Sequence, residues 1–264
     1  MSPPTVQFLI GGVQKGGTSA LARYLQSHPD IRLPVGKEAH VFDDPRAGDW
    51  TAERFEGAYQ AHFANTQISP TAIYGDATPI YCFLPALIGR IASYNPAMRW
   101  IVLLRDPIER AISHYYMERN RGHESLSLAL ALLAERWRLR GREGDLSADS
   151  PLRRHSYCAR GRYTRQLDAL YSQFPQDQVL VLRSKDLLVH PAHSMDTVHA
   201  FLGLSPLTMA TEFEPVFKGQ YGDHARHPWV RWALRQRFRR ELSLLHSRHG
   251  VSFNDSFKQA STVA

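Results

Sequence analysis

The stretch TVQFLIGGVQKGGTSALARYLQSHP, residues 5–29, constrains the fold more than any other part of the chain. A short apolar run, VQFLI, ends in glycines, and apolar residues then recur at helical spacing at Ala20, Leu21, Tyr24 and Leu25. Thr18 and Ser19 suit a helix start, and His28-Pro29 a stop. A strand that feeds a glycine loop and then a helix aims the helix's unpaired N–H groups at the loop, which makes an anion site. Gly16 and Gly17 let the backbone approach an oxyanion, Lys15 adds a point charge, and Thr18 and Ser19 add hydroxyl donors. The plainer reading is a turn that merely joins strand to helix; the lysine and the Thr-Ser pair argue against it.

The loop is close to a nucleotide-triphosphate phosphate loop but departs from it at one place. Counted from Gly12, the glycine spacing fits through Gly17, yet Thr18 stands where the lysine belongs. Two further units follow the same plan. MRWIVLLRDP reads as a buried strand, followed by the helix PIERAISHYYMERN with Pro107 in its first turn and Asp106 as N-cap. QVLVLRSKDL reads as a third strand, followed by the helix PAHSMDTVHAFLGL ending near Gly203. SLSLALALLAERWRLR and RYTRQLDALYSQFP are helices between them. Alternating strands and helices predict an α/β fold, a central, mostly parallel sheet flanked by helices. No internal repeat is visible, and neither GREGDLSADSP nor EPVFKGQYGDHARHP reads as a domain linker. Residues 1–264 are therefore expected to form one domain, with the α/β core over 5–203 and a loop and basic helix over 204–258.

Bulk composition narrows the class. Hydrophobic content of 43% and charged content of 22% are ordinary for a soluble protein. Cys82 and Cys158 offer neither a disulfide framework nor metal-ligand spacing, which points to a reducing compartment. VQFLI is too short for a signal-peptide core and no apolar run spans a membrane, so a cytoplasmic protein is expected. The net charge of +7 and a pI near 9.6 suggest an anionic partner. Much of that excess sits in HARHPWVRWALRQRFRRELSLLHSRHG, which equally suits a solvated helix face.

Two more groups of residues carry chemistry. Arg105 ends the strand where a triphosphate enzyme usually keeps a carboxylate for Mg²⁺; a cation there suits a second phosphate better. Arg110 and Ser113 are i, i+3 neighbours on the next helix, so Arg105 and Ser113 could hold one phosphate from two sides. The alternative is an Arg105 ion pair and an exposed Ser113. In PVGKEAHVFDD, an extended backbone would turn Glu38, His40 and Phe42 one way and Lys37, Ala39 and Val41 the other. Either Glu38 or His40 could then take a proton from an acceptor. Tyr74, Tyr81, Phe83, Trp229 and Trp232 offer stacking surfaces for a sugar or aromatic acceptor, but read chiefly as core.

FLIGGVQKGGTSALARYLQSHP, KEAHVFDD, GDATPIY and VLLRDPIERAISHYY, in this order and spacing, resemble sulfotransferases that use PAPS (3′-phosphoadenosine-5′-phosphosulfate). The likeness is to the heparan-sulfate N- and 3-O-sulfotransferase branch and its bacterial relatives. It covers Val6 to Tyr116 and continues more weakly through RYTRQLDALYSQFPQDQVLVLRSKDLL and FLGLSP. The resemblance implies that Lys15, Gly16, Gly17, Thr18 and Ser19 hold the 5′-phosphosulfate and that Arg105 and Ser113 hold the 3′-phosphate. It implies Glu38 as general base with His40 beside it, and Asp43, Lys37, Thr78 and Tyr81 on the acceptor side. Lys218, Gly219 and Tyr221 resemble the start of a late loop that closes over the nucleotide. The sequence departs from the family at Ala77, where a lysine usually precedes Thr78-Pro79, and in DHARHP, where Arg226 is displaced by one position. Paired cysteines around that loop are missing. The implied protein needs no metal, binds no nucleic acid, and sulfates a hydroxyl or amine on a glycan or small molecule. A phosphate-loop Mg-ATP kinase and a non-catalytic polyanion-binding module are the alternatives.

Overall fold

A computed structural model of the chain describes residues 5–63, 71–205 and 227–253. The first unit is β1 (Phe8–Gly12), the glycine loop, α1 (Thr18–Gln26) and the short β2 (Ile31–Arg32). α2 (Ala52–Phe63), β3 (Ile73–Asp76) and α3 (Pro85–Tyr94) lead to β4 (Arg99–Leu104) and α4 (Pro107–Asn120). α5 (Leu128–Leu139), α6 (Pro151–Arg154) and α7 (Tyr163–Tyr171) precede β5 (Val179–Arg183). α8 (Ser184–Val189), α9 (Pro191–Leu202) and α10 (Pro228–His249) complete the described elements.

The five strands form one sheet in the order β2-β3-β1-β4-β5, and every neighbouring pair is parallel. Parallel strands need both faces covered, and alternation along β1 and β4 divides the core accordingly. Leu9, Trp100, Val102 and Leu104 pack into the cluster that holds Phe42, Tyr59 and Ile88. Phe8, Ile10, Ile101 and Leu103 pack into the opposite one with Leu21, Leu25 and Val198. A third cluster joins α4, α5 and α10 through Ile108, Ile112, Leu128, Leu234 and Phe238.

This order places a topological switch between β1 and β4. The chain runs outward from β1 through its β2 and β3 side, then returns to lay β4 and β5 on the other side. In open α/β sheets, the crevice beyond the strands' carboxyl ends at such a point is where ligands bind. The glycine loop, the Asp76–Thr78 turn and Arg105 all leave the sheet at that edge.

The structure departs from the sequence reading at several elements. β2, β3, α2 and α3 were not expected. The third strand stops at Arg183, because SKDLLV turns into α8, with Arg183 paired to Asp186 at 2.5 Å. The stretch around Glu38 is not extended: Lys37 and His40 have φ of 78° and 53°. Phe42 therefore does not share the Glu38 side, and packs edge-on to Tyr59, Tyr81 and Tyr94 inside the core. Trp229 and Trp232 are not core either, being 80% and 58% exposed.

Candidate active site

The loop after β1 is shaped by its contacts with β4. Val13 N–H donates to the Leu103 carbonyl at 3.2 Å, and Gly16 N–H turns back to the Val13 carbonyl at 2.8 Å. A side chain at Gly16 would stand on the Leu103 carbonyl oxygen, so this glycine serves loop-to-strand packing as well as access for an anion. Gly17 caps α1 in the left-handed region, φ 96°, and supplies no side chain to the first turn. The amides that open α1 thus face the crevice without a capping side chain, the arrangement that favours a bound anion.

Lys15 and Arg105 meet at this point. The Arg105 guanidinium donates to the Lys15 carbonyl at 3.3 Å, and the Ser184 hydroxyl donates to the Gly16 carbonyl. Burial lowers the Lys15 ammonium's pKa, and the charges of Arg105, Arg121 and Arg110 lower it further. A cation crowded by cations gains most from an anionic ligand. Asp106 is the N-cap, accepting from the Ile108 and Glu109 amides at 2.9 and 3.0 Å. Ser113 is not exposed; it lines the cleft on α4 near Arg105. Arg110 points the other way, fully buried, and donates to the Gln14 carbonyl at 3.4 Å and to the Tyr157 carbonyl. It braces the loop from behind.

Across the crevice, a chain of polar contacts runs from α1 to the interior. Lys37 Nζ donates to Ser19 Oγ at 3.1 Å and to Glu38 Oε1 at 2.6 Å. Glu38 Oε2 lies 3.2 Å from His40 Nε2, and His40 Nδ1 lies 2.9 Å from Asp43 Oδ2. Arg153 from α6 reaches the same Asp43 oxygen at 2.7 Å. Burial pushes the Glu38 carboxyl up, but the hydrogen bond from His40 and the Lys37 ammonium outweigh it and bring it down to about 2. Burial pushes His40 down, but its bonds to Asp43 and Glu38 lift it to about 9. His40 is an imidazolium with both ring nitrogens donating, held between two carboxylates.

One cleft of about 1120 Å³ joins these groups: Lys15 to Ser19, Lys37, Glu38, His40, Arg105 and Ser113 all line it. Three expected acceptor contacts do not. Asp43, Thr78 and Tyr81 are fully buried and have no surface to offer an acceptor. Asp43 holds His40, while Thr78 and Tyr81 donate to Asp76. Lys218, Gly219 and Tyr221 lie outside the described residues. Sequence reasoning missed Arg121, Arg153, Arg154, Arg160 and Lys185, which also line the cleft and give it more cations than carboxylates. For Arg153, Arg154 and Arg160 the signal was present in SPLRRHSYCARGR, which holds no acidic residue. Arg160 is the extreme case: buried against the Phe83 ring at 4.7 Å, its pKa is pushed down to about 9, chiefly by burial. Among the described residues, no group of three or more His, Cys, Asp and Glu could hold a metal ion.

Mouse heparan sulfate glucosamine 3-O-sulfotransferase 3B1 is 30% identical over 212 residues, which is 78% of this chain and 48% of that protein. Human heparan sulfate glucosamine 3-O-sulfotransferase 6 is 31% identical over 207 residues, covering 78% of this chain and 55% of that protein. The chain thus spans about half the length of these relatives. The crystal structure of a sulfotransferase from Alicyclobacillus acidocaldarius superposes with a TM-score of 0.74 at 28% identity, covering 94% of this chain and 96% of the other. Residues 5–225 match the sulfotransferase domain family, and on that match, which takes in both the loop and the Glu38 chain, this protein belongs to it.

Proposed function

We propose that the chain is an enzyme that transfers the sulfuryl group of PAPS to a hydroxyl or amine of a glycan or small-molecule acceptor. The observation that carries this reading is the continuous contact Ser19–Lys37–Glu38, which ties the anion loop to a carboxylate in the same cleft. The residues present fit PAPS: loop amides, Lys15, Thr18 and Ser19 for the 5′ end, and Arg105 with Ser113 for the 3′-phosphate. Bound there, PAPS would supply a sulfuryl group on a phosphate leaving group. Lys15 and the opening amides of α1 would stabilise the charge left on that phosphate, commonly the largest single contribution in such a site.

Proton transfer falls to Glu38. Below about pH 9, His40 holds its proton and has no lone pair for an acceptor proton, whereas Glu38 is an ionised carboxylate. His40 and Lys37 orient Glu38 and compensate its charge. A glycan acceptor is supported by the likeness to heparan sulfate glucosamine 3-O-sulfotransferases, and the cationic cleft suits it.

The test is transfer from labelled PAPS to a panel of heparan-type oligosaccharides, phenols and amines, read by mass spectrometry. Glu38→Gln is expected to lower turnover by roughly 10²–10⁴ while adenosine 3′,5′-bisphosphate still binds. Turnover near wild type in that variant would remove Glu38 from the role of base.

A further inference from the structure

Asp76 closes β3 and is fully buried. Its oxygens accept four hydrogen bonds, none from a cation. Oδ1 takes the Ala39 amide at 3.1 Å and the Thr78 hydroxyl at 2.7 Å. Oδ2 takes the Tyr59 and Tyr81 hydroxyls, each at 2.8 Å. Two of these donors also accept: Thr78 Oγ1 from the His40 amide at 3.3 Å, and Tyr81 Oη from the Phe42 amide at 3.4 Å. The Ala77 amide adds a bond to the Lys37 carbonyl at 3.3 Å.

A carboxylate is costly to bury, and what this one holds is the loop that carries Glu38. Lys37 and His40, on either side of Glu38 and Ala39, sit in the left-handed region at φ 78° and 53°. Residues other than glycine persist there when their surroundings hold them. The bonds from the Asp76–Tyr81 segment engage the backbone at Lys37, Ala39, His40 and Phe42, on both sides of Glu38. Among the described residues, the Ala39, His40 and Phe42 amides donate to Asp76, Thr78 and Tyr81 respectively, not to the anion loop.

We propose that Asp76, with Thr78 and Tyr81, positions Glu38 and His40, by gripping the amides of their loop and so fixing where the Glu38 carboxylate points in the cleft. What Glu38 does there rests on the sulfotransferase reading; the clamp itself is measurable without it.

Thr78→Val removes the hydroxyl that links Asp76 to the His40 amide, and Thr78→Ser keeps it. The measurements are the His40 ring titration by NMR, assigned with His40→Gln, amide hydrogen exchange in the wild-type chain, and calorimetric binding of adenosine 3′,5′-bisphosphate. The clamp predicts that the Ala39 and His40 amides exchange on the order of 100-fold more slowly than in a free peptide. Thr78→Val should lower the His40 midpoint by about one unit, tenfold in proton affinity, with Thr78→Ser close to wild type and bisphosphate affinity unchanged. A folded Thr78→Val protein with the wild-type His40 midpoint would overturn the proposal, as would unprotected Ala39 and His40 amides in the wild type. Should Thr78→Val fail to fold, the exchange rates decide. Failure of the wild type to bind the bisphosphate, with the clamp results as expected, would sink the sulfotransferase reading and leave the clamp standing.

Discussion

His40 connects the chemistry of the site to pH. Its folded-state value of about 9 lies above the ordinary 6.5, so the folded protein holds this proton more tightly than the unfolded chain does. That contribution is complete below about pH 6.5 and disappears as pH rises through about 9. Glu38 runs the other way: its value of about 2 lies below the ordinary 4.5, so its contribution is present above 4.5 and fades as pH falls towards 2. Thermal unfolding followed from pH 6 to 10 should therefore show a decline that runs from about pH 6.5 to about 9 and then levels off, and that His40→Gln flattens. The same variant should remove an alkaline limb from the rate profile. An unchanged alkaline decline in His40→Gln would mean that another group titrates there. That Glu38 and His40 share a side was legible in the sequence, but their pairing was not, and the backbone between them is not the extended one expected. Lys37 and His40, between which Glu38 lies, are both left-handed, and although His adopts that conformation more often than most residues, neither residue type requires it.

At the scale of elements, the legible parts were those with local causes. The run from β1 through the loop to α1 announces itself by apolar residues, glycines and helix periodicity. β4 and α4 do so by a buried strand followed by the Asp106 cap and Pro107. β2 and β3 escaped because they are two and four residues long and owe their existence to neighbouring strands. Asp76 escaped for a related reason: its partners come from α2, the Glu38 loop and the segment after β3, a convergence that only the tertiary fold creates. The loop's own dependence on β4 yields a prediction. Gly16→Ala would drive a methyl into the Leu103 carbonyl and the Val13 carbonyl, both backbone atoms with little freedom to yield. The expected loss is about 1–3 kcal/mol of stability by urea unfolding, together with weakened bisphosphate binding. A stable variant with intact binding would show that the loop does not pack on β4 as described.

At the scale of the whole molecule, the sheet topology and the charge distribution act on the same place. The switch between β1 and β4 opens the crevice, and Lys15, Arg105, Arg121 and Arg153 line it with positive charge. The chain's net charge of +7 adds a long-range field of the same sign, which steers anions and weakens with ionic strength. Under the proposed function, a ligand with two separated phosphates would use both ends of this site, whereas AMP would use one. Mg-ATP concentrates its charge where Thr18, only 4% exposed, replaces the lysine of a triphosphate loop. Adenosine 3′,5′-bisphosphate at about 100 times its Kd should stabilise the protein by about 2.7 kcal/mol, a Tm rise of roughly 5–10 °C. AMP and Mg-ATP at the same concentration should give markedly smaller shifts. Replacing Arg105 with Ala should bring the bisphosphate down to the AMP level, and raising salt from 50 to 500 mM should weaken all three. A larger shift with Mg-ATP than with the bisphosphate would reverse the reading: the cleft would then be a triphosphate site, and Arg105 would have a role other than the 3′-phosphate.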